Sequence, residues 1–160
     1  MTTLRLTLDV DCAPQRVREL LLTESFLDAF VAEQHPVQHA VRVDSPRQRS
    51  ECDWTIDLEG DLPSLVARFV GRRADIRLVF DLRDHRILLD AKAKRDGHLS
   101  CSMHVVPAGA GRAEIVIDGS LHVSGAFGGM AEGTVKDQVI VPVLKEDLVR
   151  LLEQWSSGRP

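Results

Sequence analysis

The sequence predicts an α+β protein in which a long C-terminal helix covers the apolar face of an antiparallel sheet. Two patterns predict this class. From residue 37 to residue 123, apolar and polar side chains alternate with a period of two, which is typical of strands with one buried and one solvated face. Residues 127–155 instead place apolar side chains at helical spacing. Together the patterns indicate a sheet of about seven strands and one long helix that packs on it.

The beginning of the chain predicts one strand and two short helices. Apolar residues alternate along residues 3–10, so this segment forms a half-buried strand. Pro14 then suits the first turn of a helix, where its missing N–H group has no partner to lose. A second helix follows Thr23 or Ser25, either of which can accept a hydrogen bond from its first free N–H groups, and Pro36 ends it.

Six further strands follow, and their register can be checked because directly opposed residues of antiparallel strands share a face. The inward residues change from even to odd numbers across residues 84–85, which fits a two-residue loop. They stay odd across residues 96–98, which requires a loop with an odd number of residues. We therefore expect a three-residue turn at residues 96–98, with Gly97 in the left-handed region.

The C-terminal helix carries two apolar stripes that differ in phase by about one residue. The first stripe consists of Ala131, Val135 and Val139. The second stripe consists of Leu144, Leu148, Leu151, Leu152 and Trp155. Pro142 lies between them, and a proline in a helix interior removes a hydrogen bond and bends the axis. We therefore expect a kink at Pro142 that brings both stripes onto one surface.

Composition and charge limit the classes of protein that this chain can represent. No repeat, linker or low-complexity tract divides its 160 residues, so we expect a single domain over residues 1–160. The net charge of −4 and the lack of a block of like charges argue against nucleic acid as a partner. No run of about 18 apolar residues is present, so we expect no integral membrane association.

The cysteines and histidines give no motif for a metal or another cofactor. Cys12, Cys52 and Cys101 are odd in number and widely spaced, which predicts reduced thiols in a cytoplasmic protein. The six histidines are scattered without ligand spacing, so we expect no metal site. The glycine-rich residues 125–129 lack the spacing of either nucleotide-binding fingerprint, and we interpret them as a flexible corner. No cofactor is therefore predicted.

His39 is the one ionisable residue that the alternation places on the otherwise apolar inner face. A two-residue turn at residues 46–47 would set it opposite Trp54. It could orient a ligand among hydrophobic walls, or it could be a histidine at the end of the sheet that water or backbone satisfies. A catalytic pair of Cys52 and His39 is conceivable, but no third group that would orient the histidine is evident, so no catalytic residue is assigned.

The order of one strand, two short helices, six strands and a long helix resembles the helix-grip fold of the START-related SRPBCC superfamily. This superfamily includes the birch-pollen allergens, lipid-transfer domains and aromatic polyketide cyclases. The segment DCAPQRVRELLLTESFLDAFV is similar to its opening strand and Leu-rich helix pair. The segments LPSLVARFVG and DGSLHVSGAFGGMAEGTVKDQV more specifically resemble an uncharacterised actinobacterial family of the superfamily. Its Gly-Gly-x-x-Glu entrance to the last helix matches Gly128, Gly129 and Glu132.

The resemblance implies a cavity between the concave face of the sheet and the long helix. The inward residues expected to bound it on the sheet are Trp54, Ile56, Leu78, Phe80, Met103, Ile117 and Leu121. Val135 and Val139 are expected to roof it, with His39 at the end of the sheet. These mostly apolar walls predict the binding or carriage of a small hydrophobic molecule such as a lipid, an isoprenoid or a polyketide.

Two other classes of function stay open. An enzyme of the cyclase, dehydratase or hydrolase kind needs positioned carboxylates, histidine or tyrosine inside the pocket. The chain has no tyrosine, and its aspartates and glutamates fall at outward positions. A protein-interaction or chaperone-regulating module would instead use the helix or the outer face of the sheet and would bind no ligand. Polar groups converging in the cavity would favour the enzyme, and a filled core would favour the interaction module.

Overall fold

Within the part of the chain that the structure describes, one antiparallel sheet and three helices form the fold, which confirms the predicted α+β class. The computed structural model of the chain describes residues 1–57, 73–83, 86–93, 97–124 and 128–157. The strands are β1 (Thr2–Val10), β2 (Gln38–Asp44), β3 (Arg49–Asp57), β4 (Arg73–Arg83), β5 (Arg86–Ala93), β6 (Gly97–Pro107) and β7 (Ala113–Val123). The helices are α1 (Pro14–Leu20), α2 (Glu24–Ala32) and α3 (residues 128–155). The strand order is β1-β7-β6-β5-β4-β3-β2.

The register aligns the inner-face residues in rows that cross the sheet. The row nearest one end of the sheet, called the end row here, consists of His39, Trp54, Ile76, Ala93, Gly97 and Val123. The next row contains Val41, Cys52, Leu78, Ala91, Leu99 and Leu121. The pairing of His39 with Trp54 confirms the register predicted for the first hairpin of the sheet.

Burial increases from the end row towards the opposite end of the sheet. Phe80, Met103 and Ile117, which lie in deeper rows, are fully buried, whereas Ile76 and Ala93 of the end row are only half-buried. The deeper rows are covered by α1, α2 and the C-terminal part of α3, because these helices contribute the buried apolar residues Val17, Leu20, Phe26, Leu27, Phe30, Val31, Leu148 and Leu152. The inner face is therefore packed at one end and accessible at the other.

The last helix is continuous over residues 128–155 but contains π-helical turns in its middle. They span Lys136–Ile140 and Val143–Leu148, on either side of Pro142, which keeps helical dihedral angles of φ −61° and ψ −41°. The N–H group of Val141 donates to the carbonyl oxygen of Lys136, five residues earlier. A π turn takes up extra residues relative to an α turn. These turns account for the phase difference that the sequence analysis assigned to a kink.

The hairpin predicted at residues 96–98 is displaced along the chain. Gly97 is paired with Ala93 and already belongs to β6, so the connection consists of residues 94–96 and still has the odd length that parity requires. Gly97 does not adopt the left-handed region, so that part of the prediction is wrong. Arg83 pairs with Arg86, as a two-residue loop at residues 84–85 demands. Residues 84–85, 94–96, the LPSLVARFVG segment and residues 125–127 lie outside the described residues.

Candidate functional site

A cavity of about 880 Å³ lies at the accessible end of the sheet. It is found where β2, β4 and β6 begin and where β3, β5 and β7 end. The described residues that line it are Gln38, His39, Ala40, Asp53, Trp54, Thr55, Asp75, Ile76, Arg77, Lys92, Ala93, Gly97, His98, His122 and Ser124. Its volume falls within the range of roughly 300–1,000 Å³ that is usual for small-molecule sites.

One wall of the cavity is formed by the end row. Trp54 and Ile76 supply apolar surface, while Ala93 and Gly97 are small and leave space above the sheet. Among the described residues, a methyl group at Gly97 would meet nothing closer than the Cβ atom of Ala93 at 3.8 Å. Ala93 and Gly97 are half-buried, so this space lies at the accessible end of the sheet and belongs to the cavity.

Trp54 adds an unsatisfied polar group to this wall. Its side chain is 9% exposed, and its indole Nε1 atom is buried without a hydrogen-bond partner among the residues that the structure describes. Leaving a buried donor unpaired costs about 1–3 kcal/mol. The indole N–H group is therefore a polar group of this wall that the described residues leave unpaired.

His39 lines the cavity but is also tied to the second helix. Its Nε2 atom lies 3.3 Å from Oδ1 of Asp28 in α2, and about a third of the side chain (35%) is exposed. A carboxylate beside an imidazole holds the ring in one orientation. His39 thus occupies the end of the sheet, as the sequence predicts, in contact with both the cavity and α2.

The structure does not support a nucleophilic pair of Cys52 and His39. Cys52 is fully buried in the row next to Trp54, no hydrogen bond joins its thiol to His39 in the described structure, and Nε2 of His39 faces Asp28. Burial, and secondarily the charge of Asp53, raise the pKa of the Cys52 thiol to about 12. A thiol with such a pKa stays protonated at neutral pH and is a poor nucleophile. All three cysteines are free, as the sequence predicts.

The other residues expected to line the cavity occupy several environments. Phe80, Met103 and Ile117 are fully buried in deeper rows, and Leu78 and Leu121 lie in the row next to the cavity with 7% and 4% exposure. Ile56 and Val135 are half-buried and pack against the core, and Val139 is half-buried in the first π-helical segment. Of the ten residues predicted for the site, His39 and Trp54 belong to the described cavity lining.

The polar side of the cavity was not predicted from the sequence. Asp53, Asp75, Arg77, Lys92, His98 and His122 line it, although their numbering places them on the outer face of the sheet. The cavity therefore extends around the end of the sheet and contacts both faces. Alternation predicts which face a residue occupies, but it cannot show that a cavity bridges two faces. The clustering of these polar residues at the ends of paired strands was the signal that could have revealed them.

Several charges on this polar side are neutralised within the protein. Nε of Arg77 donates to Oδ1 of Asp53 at 2.8 Å, and this hydrogen bond raises the pKa of Arg77. Asp53 also accepts a hydrogen bond from Arg42 at 2.8 Å. Nε2 of His98 contacts Oδ1 of Asp90. The hydroxyl group of Thr55 donates to Asp75 at 2.6 Å.

Glu132, from the Gly-Gly-x-x-Glu segment, anchors the start of α3 next to the cavity. Its buried carboxylate accepts hydrogen bonds from the backbone N–H of Val123 at 2.9 Å and from the Thr2 hydroxyl at 2.8 Å. The terminal ammonium of Met1 lies 3.0 Å away, and Nδ1 of His122 lies 3.7 Å away. The hydrogen bond from Val123, followed by those from the terminal ammonium and Thr2, lowers the pKa of Glu132 to about 2. The residue thus joins α3 to both β1 and β7.

Neither a metal cluster nor a membrane span was found in the described part of the chain. No group of three or more His, Cys, Asp or Glu side chains there has a geometry that could hold a metal ion. Within the same ranges, no helix combines the length and hydrophobicity that a membrane-spanning segment requires.

Comparison with solved structures shows what this architecture resembles. A START superfamily protein from Mycobacterium smegmatis is 12% identical, with 98% of this chain and 97% of that chain covered and a TM-score of 0.58. The Zhui aromatase/cyclase from Streptomyces sp. R1128 is 14% identical, with 99% and 94% covered and a TM-score of 0.63. The chain has the helix-grip fold. Norcoclaurine synthase from Thalictrum flavum, in complex with dopamine and hydroxybenzaldehyde, shares this helix-grip architecture. It is 13% identical, with 99% and 88% covered and a TM-score of 0.64.

Sequence comparison gives no closer assignment. No family model matches the chain, and no curated protein matches it. Identities of 12–14% to the helix-grip structures establish the shared fold alone.

Proposed function

We propose that the protein binds a small hydrophobic molecule, such as a lipid, an isoprenoid or a polyketide, in the cavity at the end of its sheet. The observation that carries this proposal is the mostly apolar end row, in which the small residues Ala93 and Gly97 leave space on the same face of the sheet as Trp54 and Ile76. Burying apolar surface is favourable, so the binding of an apolar ligand would gain about 25 cal/mol for each Å² of apolar surface that it removes from water. The buried residues Leu78 and Leu121, in the next row of the inner face, continue this apolar surface inwards.

The helix-grip comparisons support the proposal through architecture. Structures with this fold include a START superfamily protein, an aromatase/cyclase and a synthase complexed with dopamine and hydroxybenzaldehyde. The aromatic ligands of that synthase are of the size that a cavity of about 880 Å³ can hold. Three free and buried cysteines favour a reducing compartment, so the proposal includes a cytoplasmic location.

A ligand that co-purifies with the protein would test the proposal. Native mass spectrometry of the wild type is expected to show a bound species of a few hundred daltons or less. Ala93→Phe should fill the space beside Trp54 and remove this species while the circular dichroism spectrum stays unchanged. Ala108→Phe, an identical substitution in the exposed β6–β7 connection, is the matched control and should retain it. A species that survives Ala93→Phe, or that disappears from both variants, would contradict binding in this cavity.

A second candidate is an enzyme of the cyclase or dehydratase kind, favoured by one observation. Three histidines line the cavity, and each lies beside a carboxylate: His39 beside Asp28, His98 beside Asp90, and His122 beside Glu132. A histidine oriented by a carboxylate is a suitable general base. If the protein is an enzyme, a co-purified ligand should be chemically converted on incubation, and His98→Gln should slow that conversion without releasing the ligand.

A further inference from the structure

Four basic side chains form a line across the polar side of the cavity. Arg77 lies directly opposite Lys92, Lys92 opposite His98, and His98 opposite His122, on the adjacent strands β4, β5, β6 and β7. All four residues line the cavity. This set is called the basic row here. Directly opposed like charges such as Arg77 and Lys92 destabilise an antiparallel pair, and a nearby anion relieves this repulsion.

The protein itself compensates three of the four members. Arg77 is paired with Asp53, His98 with Asp90, and His122 lies 3.7 Å from Glu132. Lys92 differs, because it has no hydrogen bond or ion pair with any residue in the described structure, although Arg77 and His98 flank it. Its ammonium is therefore the uncompensated charge of the row.

The two carboxylates in the cavity lining do not cancel this charge. Asp53 is held between the guanidinium groups of Arg42 and Arg77, with both contacts at 2.8 Å. Asp75 lies opposite Thr55 on the neighbouring strand and accepts its hydroxyl at 2.6 Å. Neither carboxylate reaches Lys92. The site therefore offers an apolar wall on one face of the sheet and a free cation beside it on the other.

We propose that the ligand is an amphipathic anion. Its apolar body packs on Trp54, Ala93 and Gly97, and its carboxylate or phosphate group binds Lys92. Lys92 and Ala93 are consecutive residues at the end of β5, so their side chains leave opposite faces of the sheet at the point where the cavity extends around that end. A lysine can lay its aliphatic stem along apolar surface and keep its ammonium at the polar side. This inference rests on the proposed function and specifies the chemical class of ligand for the same cavity.

Isothermal titration calorimetry with three ten-carbon probes tests the inference. The probes are decanoate, decyl phosphate and 1-decanol, which share the apolar chain and differ in the head group. The wild type should bind at least one of the two anions about tenfold more tightly than decanol, and added salt should weaken that preference. Lys92→Gln should weaken the binding of the anion about tenfold and leave the binding of decanol unchanged. The control Lys145→Gln, on an exposed lysine of α3, should alter neither.

The outcomes separate this inference from the proposed function. If Lys92→Gln loses affinity for decanoate alone, the ligand carries a carboxylate. If it loses affinity for decyl phosphate alone, the ligand carries a phosphate. Both results support the inference. If decanol and both anions bind equally well and Lys92→Gln has no effect, the anionic ligand is refuted while the hydrophobic site stands. If none of the three probes binds to the wild type, the proposed function itself is contradicted.

Discussion

Two glycines of the same sheet should respond in opposite ways to the same substitution. A Cβ atom at Gly119, in β7, would lie 2.1 Å from the carbonyl oxygen of Ser100, 2.6 Å from the Cα atom of Cys101 and 2.7 Å from its Sγ atom. A Cβ atom at Gly97, in β6, would meet a single atom of the described residues within 4 Å, the Cβ atom of Ala93 at 3.8 Å. Neither glycine adopts a positive φ, so space alone distinguishes them.

The magnitudes follow from these contacts. Overpacking a well-packed core typically costs 1–3 kcal/mol, and Gly119→Ala should cost about 3 kcal/mol or more because two of its close contacts are backbone atoms that cannot rotate away. Gly97→Ala should stabilise the fold by about 0.4–1 kcal/mol, because alanine restricts the unfolded chain. With a urea m-value of about 1–3 kcal/mol/M, the stability lost by Gly119→Ala corresponds to an unfolding midpoint lower by roughly 1–3 M urea.

Urea unfolding followed by far-ultraviolet circular dichroism measures both changes. The wild type and the two variants should unfold in single transitions with similar m-values. If neither variant loses stability, the close packing of β6 on β7 at Gly119 is refuted. If both variants lose stability to a similar extent, the open space at Gly97 is refuted. The cavity would then lose the gap on which its apolar wall depends.

Three further predictions concern the core and the last helix. A thiol reagent should modify the native protein slowly, because burial raises the pKa of Cys52 to about 12 and that of Cys101 to about 11. After unfolding without reductant, the reagent should find three thiols per chain, and a count of one would reveal a disulfide. Glu132→Gln should lower the free energy of unfolding at neutral pH. The difference from the wild type should shrink as the pH falls from about 4.5 towards 2, because folding lowers the pKa of Glu132 to about 2. A difference that does not change with pH would contradict an ionised Glu132. Pro142→Ala should not stabilise the protein in thermal unfolding, because π-helical turns flank Pro142. An increase in stability near the ~3 kcal/mol that a proline costs an α-helix would show that Pro142 strains the helix.

The parts of the fold that depend on local pattern were predictable from sequence. Period-two alternation gave the inward face of each strand, and the two-residue turn expected at residues 46–47 placed His39 opposite Trp54. The phase difference between the two apolar stripes of α3 was also visible. Its cause was not, because π-helical turns and a proline kink produce the same one-residue shift in sequence.

The site was less predictable because it depends on where the sheet ends and on contacts between distant segments. Alternation correctly places Lys92 on the outer face, but it cannot show that the cavity extends around the end of β5 to reach it. The partner of His39 is Asp28 on α2, a tertiary contact that no spacing rule predicts. The large inward residues Phe80 and Met103 alternate like Trp54, yet the helices bury them in deeper rows. Sequence pattern therefore identifies the inner face but not the part of it that stays accessible.

The most direct test of the central claim follows the two indole N–H signals in a ¹H–¹⁵N correlation spectrum during titration with a ten-carbon probe. Trp54 lines the cavity, whereas Trp155 packs edge-to-face on Phe26 at a centroid distance of 5.6 Å, so the second indole is an internal control. Trp155→Phe assigns the two signals. A ligand in the cavity should shift the Trp54 indole signal and the backbone amides of Ala93 and Gly97, and leave Trp155 unchanged. Saturable binding that shifts Trp155 alone, or that leaves Trp54, Ala93 and Gly97 unmoved, would contradict a ligand site at the end of the sheet.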